Sequence, residues 1–336
     1  MRQAIITAPW TAELRQVDDP VVTPGQVLIR VRVTGICTLE QRIYRGARTQ
    51  YPFLGGHEIS GTVVEQSSPH FAQGATVAVS AFPRCGSCEL CLGGLDNLCG
   101  YKNSPPQGSN QLWGPGGLAD YVLVPEKSVF PVQASSIAAS LVEPLACVLH
   151  SLSRARLSRG DQIAIFGFGV MGALHVLAAT QLGLEPIWIN LPDSSSPSRR
   201  LASADIEISD IPAFELRGHL VSKQLRPKAV YCVRGGLEAI RVGCSIVAPG
   251  GVLVYFASPF EAMVASVDLR ELRTKEATLS VSVNHTLADF AKAARLAAEI
   301  SDELENVVGA CFSLSSINEA LTLAVQSDAG RVVVEP

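Results

Sequence analysis

The chain has 336 residues, of which 47% are hydrophobic and 17% are charged, and its formal net charge is −4. This length predicts two domains, and the acidic balance, with Arg199–Arg200 as the longest Lys/Arg run, argues against a nucleic-acid-binding surface. No apolar run reaches the roughly 20 residues that span a bilayer, and the N-terminus lacks a secretory signal pattern, so we expect a cytoplasmic protein without a membrane segment.

The first 150 residues contain short strand-like runs separated by Gly and Pro. The alternation in V-L-I-R-V-R-V at Val27–Val33 is typical of a half-buried strand. Similar runs occupy Gly61–Glu65, Thr76–Val79 and Tyr121–Val124. We therefore expect a compact, mostly antiparallel β domain in this part of the chain.

The pattern changes near Arg154. Asp161–Gly167 is a short apolar run of the kind that forms strands buried on both faces, and Val170–Leu182 follows as a helix. Strand-like and helix-like segments then alternate up to residue 257, and such a βαβ series predicts a parallel sheet and an α/β fold. A strand after Leu279, an Ala-rich helix at Leu287–Ile300 and a last strand at the C-terminus complete the chain.

Four of the nine cysteines form the pattern Cys85-x2-Cys88-x2-Cys91-x7-Cys99. In a reducing compartment such clusters bind metal more often than they form disulfides. Four thiolates can hold zinc tetrahedrally and leave no open position, which predicts a structural zinc site. An iron–sulfur cluster is the alternative, since four cysteines can also ligate iron.

A glycine-rich turn follows the apolar strand and opens the next helix. Gly167, Gly169 and Gly172 form a G-x-G-x-x-G pattern, which in this context predicts dinucleotide binding. Gly167 would allow the tight turn, Gly169 the approach of a pyrophosphate, and Gly172 the close packing of helix and strand. Val170 and Met171 begin the helix whose N-terminus would face the phosphates.

The choice between NAD and NADP depends on the end of the next strand. A carboxylate there would bind the ribose 2′-hydroxyl of NAD, but the strand P-I-W-I-N ends at Asn190. Asp193 lies further on, and Arg199 and Arg200 follow in a serine-rich loop. Arginine can pair with a 2′-phosphate, so NADP is slightly favoured over NAD.

These motifs, taken together and in order, resemble those of the zinc-dependent medium-chain dehydrogenase/reductase superfamily, most closely its polyol and threonine dehydrogenase branch. The similarity extends over essentially the whole chain. The motifs that carry it are G-I-C at Gly35–Cys37, G-G-H-E-I-S-G at Gly55–Gly61, the four cysteines, L-V-E-P-L-A-C at Leu141–Cys147, and G-F-G-V-M-G at Gly167–Gly172.

The resemblance implies the domain organisation. A GroES-like catalytic domain would occupy residues 1–152 and include the structural zinc lobe at 85–99. A Rossmann domain with a doubly wound parallel sheet would occupy 153–275, and 276–336 would return to the catalytic domain. The resemblance also implies a homodimer or homotetramer.

The resemblance further implies a second, catalytic zinc ion. Cys37, His57 and Glu58 match its ligands, and Glu143 matches the position that supplies a further ligand or holds the zinc-bound water. A Cys/His/carboxylate set suits zinc with one open position, at which zinc would act as a Lewis acid on the oxygen of a small-molecule substrate. In an arbitrary sequence, a single His-Glu or Glu-Pro pair would more often have only a structural role.

Two departures from the family pattern affect the site. The family places a Ser or Thr two residues after the cysteine to begin a proton relay, but Leu39 occupies that position and Thr38 lies one position early. If the segment is extended, Thr38 points to the opposite side, so Thr38 can act only if the turn is shifted. The second departure is Ser282–Thr286, which we interpret as a solvated loop; the alternative is that its Asn284 and His285 reach the cofactor or substrate cleft.

The expected activity is interconversion of a secondary alcohol, in a polyol, amino alcohol or cyclitol-like substrate, and a ketone by hydride transfer with NAD or NADP. Two alternatives remain open at this point. The chain could reduce an imine or a conjugated double bond, where the missing relay hydroxyl matters less, or it could be a relative that keeps the fold without catalysis.

Overall fold

The structure of the chain is a computed structural model that describes residues 1–67, 69–100, 112–191, 201–234, 236–257, 267–326 and 330–336. It divides into two compact units. Unit 1 comprises Met1–Ala146 and His285–Pro336, and unit 2 comprises Cys147–Asn284.

The strands of the described residues run from the first residues to the last. They are β1 (Arg2–Ala8), β2 (Thr11–Gln16), β3 (Gln26–Gly35), β4 (Glu58–Gln66), β5 (Thr76–Ser80), β6 (Tyr121–Pro125), β7 (Val129–Pro131), β8 (Gln162–Phe166), β9 (Glu185–Ile189), β10 (Ile206–Ile208), β11 (Ala229–Cys232), β12 (Val252–Tyr255), β13 (Thr278–Val281), β14 (Val308–Ser313) and β15 (Arg331–Glu335).

The α-helices of the described residues have between four and 13 residues. They are α1 (Thr38–Tyr44), α2 (Glu89–Leu92), α3 (Ser136–Ser140), α4 (Val142–Leu152), α5 (Val170–Gln181), α6 (Leu216–Ser222), α7 (Gly236–Ile246), α8 (Leu269–Thr274), α9 (Leu287–Glu299), α10 (Ser301–Glu305) and α11 (Ile317–Gln326). None of the described helices is both long and apolar enough to cross a membrane.

Unit 1 is built on a sheet in which the described strands lie in the order β14-β15-β3-β4-β5-β7, with β6 also paired to β3. Apart from the parallel pair β14–β15, neighbouring strands are antiparallel. Because side chains alternate across each strand, Ile29, Val31, Ile59 and Val77 face one buried apolar cluster. The predicted antiparallel β domain is confirmed.

A second apolar cluster in unit 1 joins the two ends of the chain. The hairpin β1–β2, which the sequence patterns did not predict, contributes Ile6. Helix α1 contributes Ile43 and Tyr44, while Leu321 comes from α11 and Val334 from β15. The last segment of the chain is therefore an integral part of the core of unit 1.

Unit 2 is a parallel sheet in which the described strands lie in the order β10-β9-β8-β11-β12-β13. In chain order this is 3-2-1-4-5-6, the order of dinucleotide-binding Rossmann sheets. Ile163, Ala164 and Ile165 of β8 are fully buried, as the apolar run predicted. The strand expected after Leu279 begins earlier, at Thr278. The α/β fold class is confirmed.

Candidate active site

In unit 1 one strand ends beside the start of its neighbour, and this arrangement brings together Cys37, His57 and Glu58. Strand β3 ends at Gly35, which pairs with Glu58 at the start of the antiparallel strand β4. Cys37 lies two residues beyond Gly35 as the N-cap of α1, and His57 directly precedes β4. One donor atom from each of the three side chains lies within 4.8 Å of the others.

Glu40 orients His57. Its carboxylate is fully buried, and its Oε1 lies 2.9 Å from His57 Nδ1. The backbone N–H groups of Gly56 and Cys37 also donate to it. Burial raises the pKa of Glu40, but the charge and hydrogen bond of His57, together with backbone hydrogen bonds, give a net lowering. With a proton on Nδ1 directed at this carboxylate, Nε2 of His57 can bind a metal ion once the ion displaces the proton on that nitrogen.

Glu58 lies beside a buried arginine. Arg331 Nη2 is 3.1 Å from Glu58 Oε1, and both side chains are at least 95% buried. Arg331 is itself held by a hydrogen bond from Nη1 to the carbonyl oxygen of Ile36. Burial raises the pKa of Glu58, and the Arg331 charge opposes this effect. At Gly35, an added Cβ would overlap Glu58 Oε2, so glycine at that position leaves room for the carboxylate.

The three side chains fit a bound zinc ion. Glu58 and Arg331 form an ion pair, but neither carboxylate oxygen of Glu58 accepts a hydrogen bond of suitable geometry from the described residues, and a buried acceptor in this state requires an explanation. Thiolate, imidazole and carboxylate are all zinc ligands, and three protein ligands leave a position for substrate. A cation held by Cys37 and His57 would also offset the buried charge of Glu58.

Glu143, the fourth predicted ligand, is placed somewhat apart from these three. It lies in the first turn of α4, 7% exposed, and its Oε1 is 3.5 Å from Nε2 of His285. Burial raises the pKa of Glu143, but the hydrogen bond with His285 and nearby positive charges, including that of Arg331, lower it to about 2. The hydrogen bond and the positive charges around Glu143 therefore keep its carboxylate ionised.

His285 is not part of a solvated loop, and that interpretation of Ser282–Thr286 is wrong for this residue. His285 is only 1% exposed. It precedes Thr286, the N-cap of α9, whose hydroxyl exchanges hydrogen bonds with Asp289. This capping box fixes the start of the helix and thereby the position of the histidine.

Thr38 and Leu39 do not lie in an extended segment, because α1 begins at Thr38. The argument from alternating side chains therefore does not apply. The hydroxyl of Thr38 is exposed and lies 3.8 Å from Cys37 Sγ. Leu39 is half-buried and packs against the apolar cluster that joins the chain ends. A hydroxyl thus remains next to the cysteine, although it comes from the neighbouring position.

The four-cysteine loop brings its thiols to the spacing of a single ion. The Sγ–Sγ distances are 3.8 Å for Cys85–Cys91, 3.9 Å for Cys88–Cys99 and 3.6 Å for Cys85–Cys99. Tetrahedral zinc with bonds of about 2.3 Å requires sulfurs about 3.8 Å apart. In an iron–sulfur cluster the four thiolates are shared among two or four irons, and sulfurs on different irons lie further apart, so three short distances that link all four sulfurs favour a single ion.

The glycine-rich turn of unit 2 lies where β8 ends and α5 begins. Gly167 has φ +110°, which favours glycine, and a Cβ at Gly172 would overlap the carbonyl oxygen of Gly167. At Gly169, the N-cap of α5, the nearest atom to an added Cβ would be Arg234 Nη1 at 3.8 Å. A Cβ at Gly169 would therefore make only a van der Waals contact with one guanidinium, and a 12-residue helix, Val170–Gln181, begins beside it, which suits a pyrophosphate.

The residues expected to select the cofactor are only partly described. Asn190 follows β9, is 5% exposed, and its backbone N–H donates to Ile208. Val170 and Met171 form the first turn of α5, as expected. Arg199 and Arg200 lie outside the described residues.

Three supporting residues of unit 1 were not recognised as such from the sequence, although His285 was weighed as a residue of the cleft. Glu40 could have been found as the third residue of a helix that begins after Cys37. His285 directly precedes T-x-x-D, a capping-box pattern. Arg331 has no local signal, because it reaches Glu58 only through the pairing of β15 with β3.

The comparisons with known proteins agree with this description. Residues 23–134 match the family model of the alcohol dehydrogenase GroES-like domain. An L-galactonate-5-dehydrogenase of Escherichia coli (strain K12) is 27% identical over 311 residues, which cover 89% of this chain and 88% of that protein.

Two solved structures share the fold over 100% of this chain and 99% of their own. One is a putative zinc-binding dehydrogenase of Sinorhizobium meliloti 1021 bound to NADP, with a TM-score of 0.86 and 24% identity. The other is an alcohol dehydrogenase of E. coli CFT073 complexed with NADH, with a TM-score of 0.84 and 20% identity.

Proposed function

The chain belongs to the zinc-dependent medium-chain dehydrogenase/reductase superfamily, and we propose that it interconverts a secondary alcohol and a ketone with a nicotinamide cofactor at the site of Cys37, His57 and Glu58. The observation that carries the proposal is this donor set, whose donor atoms lie within 4.8 Å of one another. A polyol, amino alcohol or cyclitol-like substrate fits the proposal, and the L-galactonate-5-dehydrogenase relative is named for a polyhydroxylated acid.

The residues of unit 1 have distinct roles in this proposal. Cys37, His57 and Glu58 bind zinc, Glu40 fixes the ring of His57, and Glu143 supplies a further ligand or accepts a hydrogen bond from water. Zinc would act as a Lewis acid on the substrate oxygen, and the nicotinamide would carry the hydride. The exposed Thr38 hydroxyl, adjacent to Cys37, would hydrogen-bond the reacting hydroxyl and pass its proton towards solvent.

We propose two zinc ions per chain, the second held by Cys85, Cys88, Cys91 and Cys99. This ion would have a structural role, because four protein ligands leave no position for substrate. The sulfur–sulfur distances near 3.8 Å support this assignment.

For the cofactor we propose NADP in preference to NAD. Asn190 supplies no negative charge at the end of β9 that would repel a 2′-phosphate, and a carboxylate there is the usual NAD-binding feature. The two similar structures bind NADP and NADH respectively, so they do not decide the preference. Comparison of kcat/KM for the two cofactors decides it.

We also propose that the protein is a homodimer or homotetramer. Strand β13 is an edge strand of the described sheet of unit 2, and its Leu279 and Val281 are 41% and 63% exposed. An exposed apolar edge strand is a template for pairing with a second copy. Sedimentation of the wild type and of Val281→Lys tests this, since the charged variant should dissociate.

The experiment that tests the proposed activity is a turnover screen. Purified protein is assayed with NAD and NADP against polyols, amino alcohols and cyclitols, and in reverse against the ketones, with Cys37→Ser as the blank. We expect cofactor-dependent turnover of at least one secondary alcohol that the blank lacks. Turnover confined to imines or conjugated double bonds would replace the proposal by the reductase alternative.

A further inference from the structure

Arg84 connects the four-cysteine loop to the neighbourhood of the candidate catalytic site. It directly precedes Cys85 and is 6% exposed. Nη1 donates to Ser80 Oγ at 3.1 Å and to the carbonyl oxygen of Phe82 at 2.8 Å. Nη2 donates to the carbonyl oxygen of His285 at 2.7 Å. The planar fork of the guanidinium thus holds His285 against the end of β5.

Asp96 makes a second connection from the same loop. It lies between Cys91 and Cys99, and its Oδ2 is 3.6 Å from Arg84 Nε. The same oxygen accepts a hydrogen bond of 3.1 Å from the backbone N–H of Leu287, the first residue of α9. Two side chains of the loop region therefore fix the backbone on either side of Thr286.

The ring of His285 lies between an obligate donor and an obligate acceptor. Its Nδ1 is 3.4 Å from Arg84 Nη2, and its Nε2 is 3.5 Å from Glu143 Oε1. Guanidinium can only donate and carboxylate can only accept. The tautomer with its proton on Nε2 satisfies both neighbours, whereas the opposite tautomer directs a lone pair at the carboxylate. The carbonyl oxygen of Thr286, 3.2 Å from Nδ1, favours that opposite tautomer, but it is uncharged.

We propose that Arg84 is a positioning residue that, through the Nε2–H of His285, orients Glu143 toward the catalytic metal and so couples the four-cysteine loop to that site. The inference rests on the proposed function, because it requires a metal at Cys37, His57 and Glu58. Partners that orient a metal ligand typically change metal affinity by about 10–100-fold. We expect an effect of that size from Arg84, although no atom of Arg84 has to touch the metal.

The test uses the full-length protein with zinc kept in the four-cysteine loop and cobalt(II) placed in the catalytic site. Metal affinity is measured by chelator competition, and ligand geometry by the visible absorption of cobalt. Arg84→Ala should retain the loop zinc, weaken cobalt binding by about 10–100-fold and shift the absorption bands. Unchanged affinity together with an unchanged spectrum would overturn the proposal.

Lys127→Ala is the matched control. Lys127 Nζ donates to the carbonyl oxygen of Arg84 at 2.7 Å, so this variant removes a positive charge and a hydrogen bond from the same place. It leaves the contact between Arg84 and His285 intact, and we expect cobalt affinity and spectrum as in the wild type. If Lys127→Ala weakens binding as much as Arg84→Ala does, loosening of the loop explains both results and the specific role of Arg84 is excluded.

Two variants of His285 test the tautomer. Glutamine can place an amide N–H near the position of Nε2, whereas asparagine reaches only the position of Nδ1. We expect His285→Gln to retain most of the cobalt affinity and His285→Asn to lose as much as Arg84→Ala. The reverse order would contradict an Nε2–H donor. If Arg84→Ala does not fold, Arg84→Lys, which keeps the charge but not the fork, should show the same weakening.

The wild type separates failure of this inference from failure of the proposed function. A wild type that binds metal only at the four cysteines would overturn both. A wild type that binds two ions, combined with an Arg84→Ala variant that binds them equally well, would overturn the coupling alone.

Discussion

The two candidate zinc sites of unit 1 differ in how much of the chain each one needs. The ligands of the four-cysteine loop lie between Cys85 and Cys99, and short turns bring them together. The catalytic set depends on the register of β3 and β4 and on Glu40 for the orientation of His57. It also depends on Arg331, which lies in the last strand of the chain. A local site can be deduced from spacing, whereas a non-local site depends on contacts that only the fold creates.

The largest effect should come from Cys37→Ser. A hydroxyl is a far poorer zinc ligand than a thiolate, so we expect kcat/KM to fall by about three orders of magnitude or more, since the metal supplies several kcal/mol at the transition state. The melting temperature should change little. Cys311→Ser, which alters an exposed thiol of β14, is the control and should keep full activity. Retained activity in Cys37→Ser would mean that Cys37 holds no catalytic metal, and the contrast between a catalytic and a structural zinc site would then fail.

Cys91→Ser should instead affect stability more than activity. Because a structural zinc ion contributes directly to folding free energy, losing one of its ligands should lower the free energy of unfolding by several kcal/mol. Denaturant titration measures this loss, and zinc content should fall by one ion. An unchanged midpoint would mean that the loop is stable without metal.

Arg331→Leu tests how far the catalytic site depends on distant residues. In protein whose catalytic site holds no metal, removing one partner of this buried ion pair leaves the charge of Glu58 uncompensated and should lower the free energy of unfolding by about 3–5 kcal/mol. The double variant Arg331→Leu with Glu58→Gln should recover much of the loss, because no charge is then left unpaired. Denaturant titration of the three proteins provides the measurement, and a double variant no more stable than Arg331→Leu would contradict this account.

Unit 2 contains a buried histidine for comparison with the histidines of unit 1, because this residue is not part of the candidate metal sites. His175 is fully buried, its Nδ1 lies 2.7 Å from the carbonyl oxygen of Met171, and burial lowers its pKa to about 4. The unfolded chain takes up this proton near pH 6.5, so the stability due to neutral His175 is complete above that pH and decreases as pH falls to about 4. The loss amounts to roughly 3 kcal/mol.

Denaturant titrations from pH 7.5 to 4 measure the His175 effect. His175→Gln should reduce the loss of unfolding free energy between pH 7.5 and 4 by this amount. His70→Gln, at an exposed position, should leave that loss unchanged. Equal slopes in the wild type and His175→Gln would mean that His175 is already protonated in the folded protein or is accessible to solvent.

The smallest effect should come from Thr38. Thr38→Val keeps the shape but removes the hydroxyl next to Cys37, and losing one hydrogen bond in the transition state should lower kcat by about tenfold. Thr38→Ser should retain the rate. If Thr38→Val matches the wild type while Leu39→Ser changes the pH–rate profile, the proton leaves by a different route.

The sequence predicts much of this molecule because its patterns are local. The period-2 runs, the βαβ series, the cysteine spacing and the glycine-rich turn each lie within one or two elements, and the structure contains the corresponding strands, loop and turn. The start of α1 was missed because Cys37 and Thr38 carry no strong helix signal, although Glu40 completes the first turn. The buried position of His285 depends on Arg84, about 200 residues earlier in the chain, and no local pattern encodes such a contact.

The number of zinc ions per chain tests the central claim most directly. Elemental analysis of the purified protein should give two ions in the wild type and one in Cys37→Ser, with the remaining ion released only as the protein unfolds. One ion in both proteins would contradict the account, because Cys37, His57 and Glu58 would then not form a metal site.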